Sequence, residues 1–166
     1  MKLVHEKIID FESALRKRSE IKNSKKTLTI TNGCFDLLHA GHVFYLDQAA
    51  KQGDYLWLFL NSDASVRSLK GPHRPVQSEM YRAYVMAGLE SVDVVVIFNN
   101  NRLDQEILSI KPDIYVKAGD YDLKTMNQEE KKSLEAVGTE IRFLPFLQGF
   151  SSTKLIQKIN EANDAS

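Results

Sequence analysis

Thr31-Asn32-Gly33-Cys34-Phe35-Asp36-Leu37-Leu38-His39-Ala40-Gly41-His42 places two histidines around a glycine where a strand turns into a helix. Residues 27–31 read as a strand, and Val43, Leu46, Ala49 and Ala50 recur at helical spacing after Gly41. The histidines therefore fall at the N-terminal end of a helix, where free backbone N–H groups and the helix dipole attract anions. Imidazoles there can donate to a phosphate whose charge grows during reaction, and Gly41 admits that phosphate close to the backbone. With 4 His and 8 Gly in 166 residues, chance supplies an H-x-G-H in about 0.005 chains of this composition. An ordinary helix start with one core histidine is the competing account.

Outward from that turn, strands and helices alternate. Strands are predicted at 27–31, 55–60, 94–98, 114–117 and 140–144. The second, Tyr-Leu-Trp-Leu-Phe-Leu, is apolar on both faces, as a buried parallel strand reads. Helices are predicted at 10–19, 42–51, 78–90, 103–110 and 127–136, with a short one at 65–69 and a last one starting at Ser152. The pattern is that of an α/β doubly wound fold in one domain over residues 1–166, its core at about 24–160.

Composition narrows the function classes. Lys plus Arg and Asp plus Glu number 22 each, so no global field recruits nucleic acid or an acidic membrane, and any anion site is local. No apolar run reaches membrane-span length and the N-terminus lacks a signal-peptide pattern, so a cytoplasmic location is expected. Cys34 is the one cysteine and fits a small packed thiol in the turn, with no zinc pattern around it.

These residues resemble the H-x-G-H nucleotidyltransferases of cytidylyltransferase type, and within them the adenylyltransferases that act on D-glycero-β-D-manno-heptose 1-phosphate. The resemblance runs from about Lys7 to Ile159. It rests on T-N-G-C-F-D-L-L-H-A-G-H, the stretch Asn61 to Gly71, Arg74-Pro75-Val76, Lys117 to Tyr121, and Ser151-Ser152-Thr153. It implies five parallel strands in the order 3-2-1-4-5, a Rossmann-like sheet with helices on both faces. Strands 1 and 4 are then neighbours where the winding reverses, and ligands of open α/β sheets bind at that point.

The resemblance also assigns roles. His39, His42 and Lys70 are the catalytic candidates. Asn32, Gly33, Cys34, Phe35, Gly41, Arg82, Lys117, Gly119, Asp120, Ser152 and Thr153 are candidates for binding the nucleotide, with the β- and γ-phosphates at Ser152 and Thr153. That pair also reads as a helix start, whose free N–H groups suit the same anion. Arg82 has only Ser78 and Met86 at i±4, so no acidic neighbour on its own helix accounts for it. Asp36, Asn61, Asp63 and Arg74 are candidates for the acceptor, with Asp36 alternatively orienting the turn and Asn61 to Asp63 alternatively capping a helix.

The implied reaction is nucleotidyl transfer from ATP, or from CTP, to a small sugar or polyol phosphate. Mg²⁺ is carried mainly by the triphosphate, and no dedicated protein metal site is expected. ATP with heptose 1-phosphate leads. CTP with glycerol 3-phosphate is the alternative, and a nucleotide-sensing domain without turnover is a further one. The resemblance implies a homo-oligomer, expected as a dimer, and a separate kinase supplying the sugar 1-phosphate. Two stretches depart from the adenylyltransferase pattern. Ala118 stands where that group has glycine, and Asn99-Asn100-Asn101-Arg102 replaces an acidic pair followed by Thr-Pro.

Overall fold

The computed structural model describes residues 3–119, 124–145, 147 and 149–164, with side chains through 162. Five parallel strands, β1 (Leu28–Gly33), β2 (Tyr55–Asn61), β3 (Val94–Phe98), β4 (Ile114–Ala118) and β5 (Glu140–Leu144), form one sheet in the order β3-β2-β1-β4-β5. Around it lie α1 (Phe11–Asn23), α2 (Ala40–Ala50), α3 (Asp63–Lys70), α4 (Glu79–Ala87), α5 (Asp104–Ile110), α6 (Gln128–Ala136) and α7 (Ser152–Asp164). The expected strand order and class hold.

The period of two along the strands divides the interior. Trp57 and Phe59 of β2 join Leu28, Ile30, Val94, Val96 and Tyr115 on the face covered by α1, α5 and α6. Leu56, Leu58 and Leu60 join Val95 and Val116 on the face covered by α2 and α4. β2 is apolar from Leu56 to Leu60, in keeping with the burial of both its faces, and each such side chain contributes about 1.5–3 kcal/mol on leaving water.

The boundaries differ from expectation where packing or capping decides them. α1 continues to Asn23 because Arg18 and Ile21 in its last turns are buried, Arg18 pairing with Asp113 at 3.0 Å. α4 stops at Ala87 instead of residue 90, with Gly88 as its C-cap. A 3-10 turn, Val4–Lys7, was not expected at all. After it Ile8 bridges to Val95 and the Ile9 N–H donates to the Val95 carbonyl at 3.1 Å, so this segment covers the edge strand β3.

β1 runs two residues past its expected end, to Gly33, which carries Asn32 and Gly33 in register with Phe59 and Leu60. Its other neighbour is β4, paired at Thr29–Ile114 and Ile30–Tyr115. The carboxyl ends of β1 and β4 thus flank the reversal of winding, and the turns leaving these two strands frame the candidate site.

Candidate active site

The chain leaves β1 through a strained turn. Phe35 is held at φ 43°, a left-handed conformation that costs a non-glycine residue about 1 kcal/mol or more. Its buried ring lies so close over Gly33 that a Cβ there would stand 2.7 Å from the ring carbon, and the same ring tilts against His42 with centroids 4.9 Å apart. Any side chain at position 33 would force that ring to move.

His39 is the N-cap of α2. Its Nδ1 accepts from the His42 N–H at 3.3 Å, which puts the neutral ring's proton on Nε2 and makes that atom a donor. The two imidazoles stack with centroids 3.7 Å apart, and Phe150 lies nearly parallel to His39 on a centroid distance of 6.3 Å. His42 Nδ1 is buried with no hydrogen-bond partner among the described residues. Burial and the neighbouring His39 push the His42 pKa down to about 4, with the Leu37 backbone pulling the other way. Burial also lowers the pKa of His39. Both rings are therefore neutral at pH 7 in these surroundings, and the dense charge of a triphosphate would oppose that shift.

A Cβ on Gly41 would stand 3.0 Å from His39 Nδ1 and 3.2 Å from the Phe150 Cβ. Phe150 precedes α7, whose start is fixed to the same turn. Ser152 Oγ donates to the Leu37 carbonyl at 3.1 Å and the Leu37 N–H reaches back to Ser152 Oγ at 3.4 Å. Ser151 Oγ accepts from the Lys154 N–H, and Thr153 is exposed. The N-termini of α2 and α7 thus meet at residues 37–42, two sets of helix-start dipoles at one place.

A second group of expected residues braces the opposite rim. The buried Asp36 carboxylate takes Arg74 Nε at 2.6 Å and the N–H groups of Val76 and Gln77. Those donors outweigh burial and hold its pKa below the usual carboxylate range, although burial is the largest single influence. Arg82 is 1% exposed and donates to the Cys34 carbonyl at 2.6 Å, the Gln77 carbonyl at 3.0 Å and Asp63 Oδ1 at 2.8 Å. Its acidic partner comes from another element, which spacing on its own helix could not reveal. Asn61 Nδ2 donates to Ser65 Oγ at 2.9 Å, and Ser62 caps α3. Lys70, exposed at the end of α3, acts electrostatically on Cys34 together with Arg82 and Arg74, which brings all three cations to the same turn. Burial still raises the Cys34 thiol, which suits a packed, unreactive sulfur.

On β4, Lys117 Nζ donates to Glu130 Oε2 at 2.9 Å and to the Tyr115 hydroxyl at 3.3 Å. Tyr115 donates in turn to Asn32 Oδ1 at 2.7 Å. Ala118 ends β4 in register with Leu144 without a positive φ, so the backbone accommodates the departure from glycine, whereas Gly119 adopts φ 92°. Asp120 and Tyr121 lie outside the described residues. Asn99 to Arg102 open α5, where Asn100 Nδ2 reaches Glu106 at 3.4 Å and the Asn100 carbonyl accepts from Ser65.

Phe150, Tyr115 and Glu130 bear on the site without having been singled out by sequence. Phe150 and Glu130 touch it only through tertiary packing. Tyr115 alternates into the core face of β4 and carried no polar signal.

A parallel sheet with its crevice at the β1–β4 reversal, and paired imidazoles at a helix N-terminus there, define a doubly wound α/β domain with a place suited to an anionic ligand. The chain belongs to the Cytidylyltransferase-like family, which matches residues 30–158. Among curated relatives, the bifunctional protein HldE of Syntrophotalea carbinolica is 42% identical over 91% of this chain and 32% of its own length. That of Campylobacter jejuni serotype O:2 is 41% identical over 93% and 33%. The chain thus spans about a third of the relatives it matches. In fold, it is similar to a lipopolysaccharide core biosynthesis protein from Thermoplasma volcanium, with TM-score 0.61, 24% identity, and coverage of 74% of this chain and 97% of that one. It is also similar to pantothenate synthetase from Thermus thermophilus, with TM-score 0.58, 11% identity, and coverage of 90% and 67%. No helix among the described residues is long and apolar enough to cross a membrane.

Proposed function

We propose that the chain transfers AMP from ATP to heptose 1-phosphate, releasing pyrophosphate and giving ADP-heptose. The stacked His39–His42 pair at the start of α2 supports this reading, because imidazole donors beside the free N–H groups of a helix start suit the charge that a transferring phosphoryl group gathers. The HldE relatives and the N-G-C-F-D and N-S-D-A-S wording favour the sugar acceptor.

In the reaction, an oxygen of the acceptor phosphate forms a bond to the α-phosphorus. The bond from that phosphorus to the oxygen bridging to the β-phosphorus breaks, and pyrophosphate leaves with the electron pair. The acceptor is already ionised near neutral pH, so no general base and no covalent enzyme intermediate are needed. His39 Nε2–H and His42 bind and stabilise the equatorial oxygens, Lys70 neutralises the outer phosphates, and the α7 start at Ser152 and Thr153 receives the leaving pair. Asp36, Arg74, Asp63 and Arg82 hold the rim that shapes the acceptor side.

No three His, Cys, Asp or Glu side chains cluster as a cation cage among the described residues, and Asp36 is taken by Arg74. Mg²⁺ would be carried mainly by the triphosphate and would neutralise phosphate charge there. The equal counts of Lys plus Arg and of Asp plus Glu give no support to a nucleic-acid partner.

Pyrophosphate release tests the assignment, with ATP, CTP, GTP and UTP each paired with D-glycero-β-D-manno-heptose 1-phosphate and with glycerol 3-phosphate. Release confined to ATP and the heptose phosphate is expected. Release with CTP and glycerol 3-phosphate would move the chain to the cytidylyltransferase branch, and binding of nucleotide without release in any pairing would make it a sensor.

A further inference from the structure

Four rings follow one another in space around the turn after β1. Phe35 tilts against His42 with centroids 4.9 Å apart, His42 stacks on His39 at 3.7 Å, and His39 lies nearly parallel to Phe150 at 6.3 Å. Each imidazole thus has one imidazole and one phenyl neighbour, and both phenyl contacts fall in the range over which aromatic pairs attract. The two phenyl rings are held differently. Phe35 is 7% exposed and packs into the core on the α2 and α4 side, with its backbone at φ 43°. Phe150 is 42% exposed and comes from the far end of the chain, beside the Ser152–Leu37 bonds that tie the start of α7 to the turn.

Two glycines keep the series closed. A Cβ on Gly33 would meet the Phe35 ring at 2.7 Å, and a Cβ on Gly41 would stand 3.0 Å from His39 Nδ1 and 3.2 Å from the Phe150 Cβ. Neither glycine has a positive φ, so backbone conformation does not call for glycine at either position. The space taken by the rings does. Side chains locked by such packing keep their donors in a set direction, and direction decides what a hydrogen-bond donor is worth to a charge that grows in one place.

We propose that Phe35 and Phe150 are positioning residues that hold the His39–His42 pair from its two ends, and that Gly33 and Gly41 serve the pair by leaving room for these rings. Phe35, expected from sequence to contact nucleotide, then acts on it through His42, since a ring so buried offers a ligand little surface. The inference rests on the phosphoryl-transfer reading for what the imidazoles do and adds what holds them.

The test uses the full chain and two readouts. One is the imidazole ring-proton resonances of His39 and His42 in NMR spectra taken without ligand, which single His→Gln variants assign among the 4 histidines. The other is kcat and KM for ATP in pyrophosphate release with D-glycero-β-D-manno-heptose 1-phosphate. The variants are Gly33→Ala, Phe35→Leu, the two together, and Phe150→Ala. Gly33→Ala drives the Phe35 ring aside, so the His42 resonances are expected to shift and kcat to fall about 10-fold or more at nearly constant KM. Phe35→Leu is expected to lower kcat by itself, and in that background Gly33→Ala should cost nothing further, because the ring it collides with is gone. Phe150→Ala should shift the His39 resonances and lower kcat several-fold, with the melting temperature little changed.

Unmoved His42 resonances in Gly33→Ala would overturn the proposal. So would equal losses from Gly33→Ala in both backgrounds, which would set the added methyl against the nucleotide itself, or a raised KM at constant kcat in Phe150→Ala. Should Phe35→Leu not fold, Phe150→Ala still decides the matter, since it trims a side chain that is already half exposed. A wild-type chain that releases no pyrophosphate defeats the reaction assignment, while the resonances continue to test whether the phenyl rings position the imidazoles.

Discussion

The two rims of the crevice are built on opposite principles. On the rim formed by residues 61–82, Lys70 apart, the polar groups are spent on the protein itself: Arg74 on Asp36, Arg82 on two carbonyls and Asp63. On the rim formed by residues 35–42, a strained Phe35 and two neutral imidazoles stand with His42 Nδ1 buried and unpartnered among the described residues. The first rim is a finished scaffold. The second keeps polar groups that the described polypeptide leaves unengaged, which is how a preorganised site differs from a structural hub.

Breaking the scaffold should show as lost stability. Arg82→Met leaves two carbonyls and Asp63 without their donor. A loss of about 3 kcal/mol in urea unfolding is expected, at the low end for a broken buried pair because the Asp63 side chain stays 25% exposed. A variant as stable as wild type would erase the distinction between the rims. On the other rim, His42→Ala should keep the fold and lose about 10²-fold or more in kcat, the range for removing one preorganised donor. Activity within a few-fold of wild type would take His42 out of the mechanism.

Lys70→Ala should act more mildly, raising the KM for nucleotide about 10-fold with little change in melting temperature, because the side chain is exposed and bound to nothing else described. An unchanged KM would return Lys70 to the solvated surface. The smallest effect sharpens the contrast through pH. The His42 pKa is depressed to about 4 from an ordinary value near 6.5, so the unfolded chain binds the extra proton first as pH falls. Stability is therefore expected to decline from about pH 6.5 to pH 4, and the decline should be shallower in His42→Gln. Parallel stability curves for the two proteins in that window would show that His42 is not buried neutral.

The same contrast explains what was legible in the sequence. The α/β class was readable because β2 is apolar on both faces and the helices carry their own spacing, while the order β3-β2-β1-β4-β5 came from resemblance and not from periodicity. The H-x-G-H turn was readable because its parts are contiguous. Arg82 was not, since Asp63 lies on another helix and no local pattern joins them. Phe150 reaches His39, and Glu130 reaches Asn32 by way of two other residues, only after the sheet has brought distant segments together. The onset of the fold at Val4–Lys7 was missed because so short a turn has no periodicity, and its place is set by the edge of β3.

The paired hydrogen bonds between Ser152 and Leu37 join segments 115 residues apart. During synthesis the H-x-G-H turn leaves the ribosome long before Phe150 and Ser152 do, and it waits without the aromatic neighbour and the hydroxyl that seat it. Closing so long a loop comes late and slowly in folding. A nascent chain that ends before residue 150 therefore carries the whole motif yet lacks the Phe150 ring and the Ser152 hydroxyl that pack against it and bond to it.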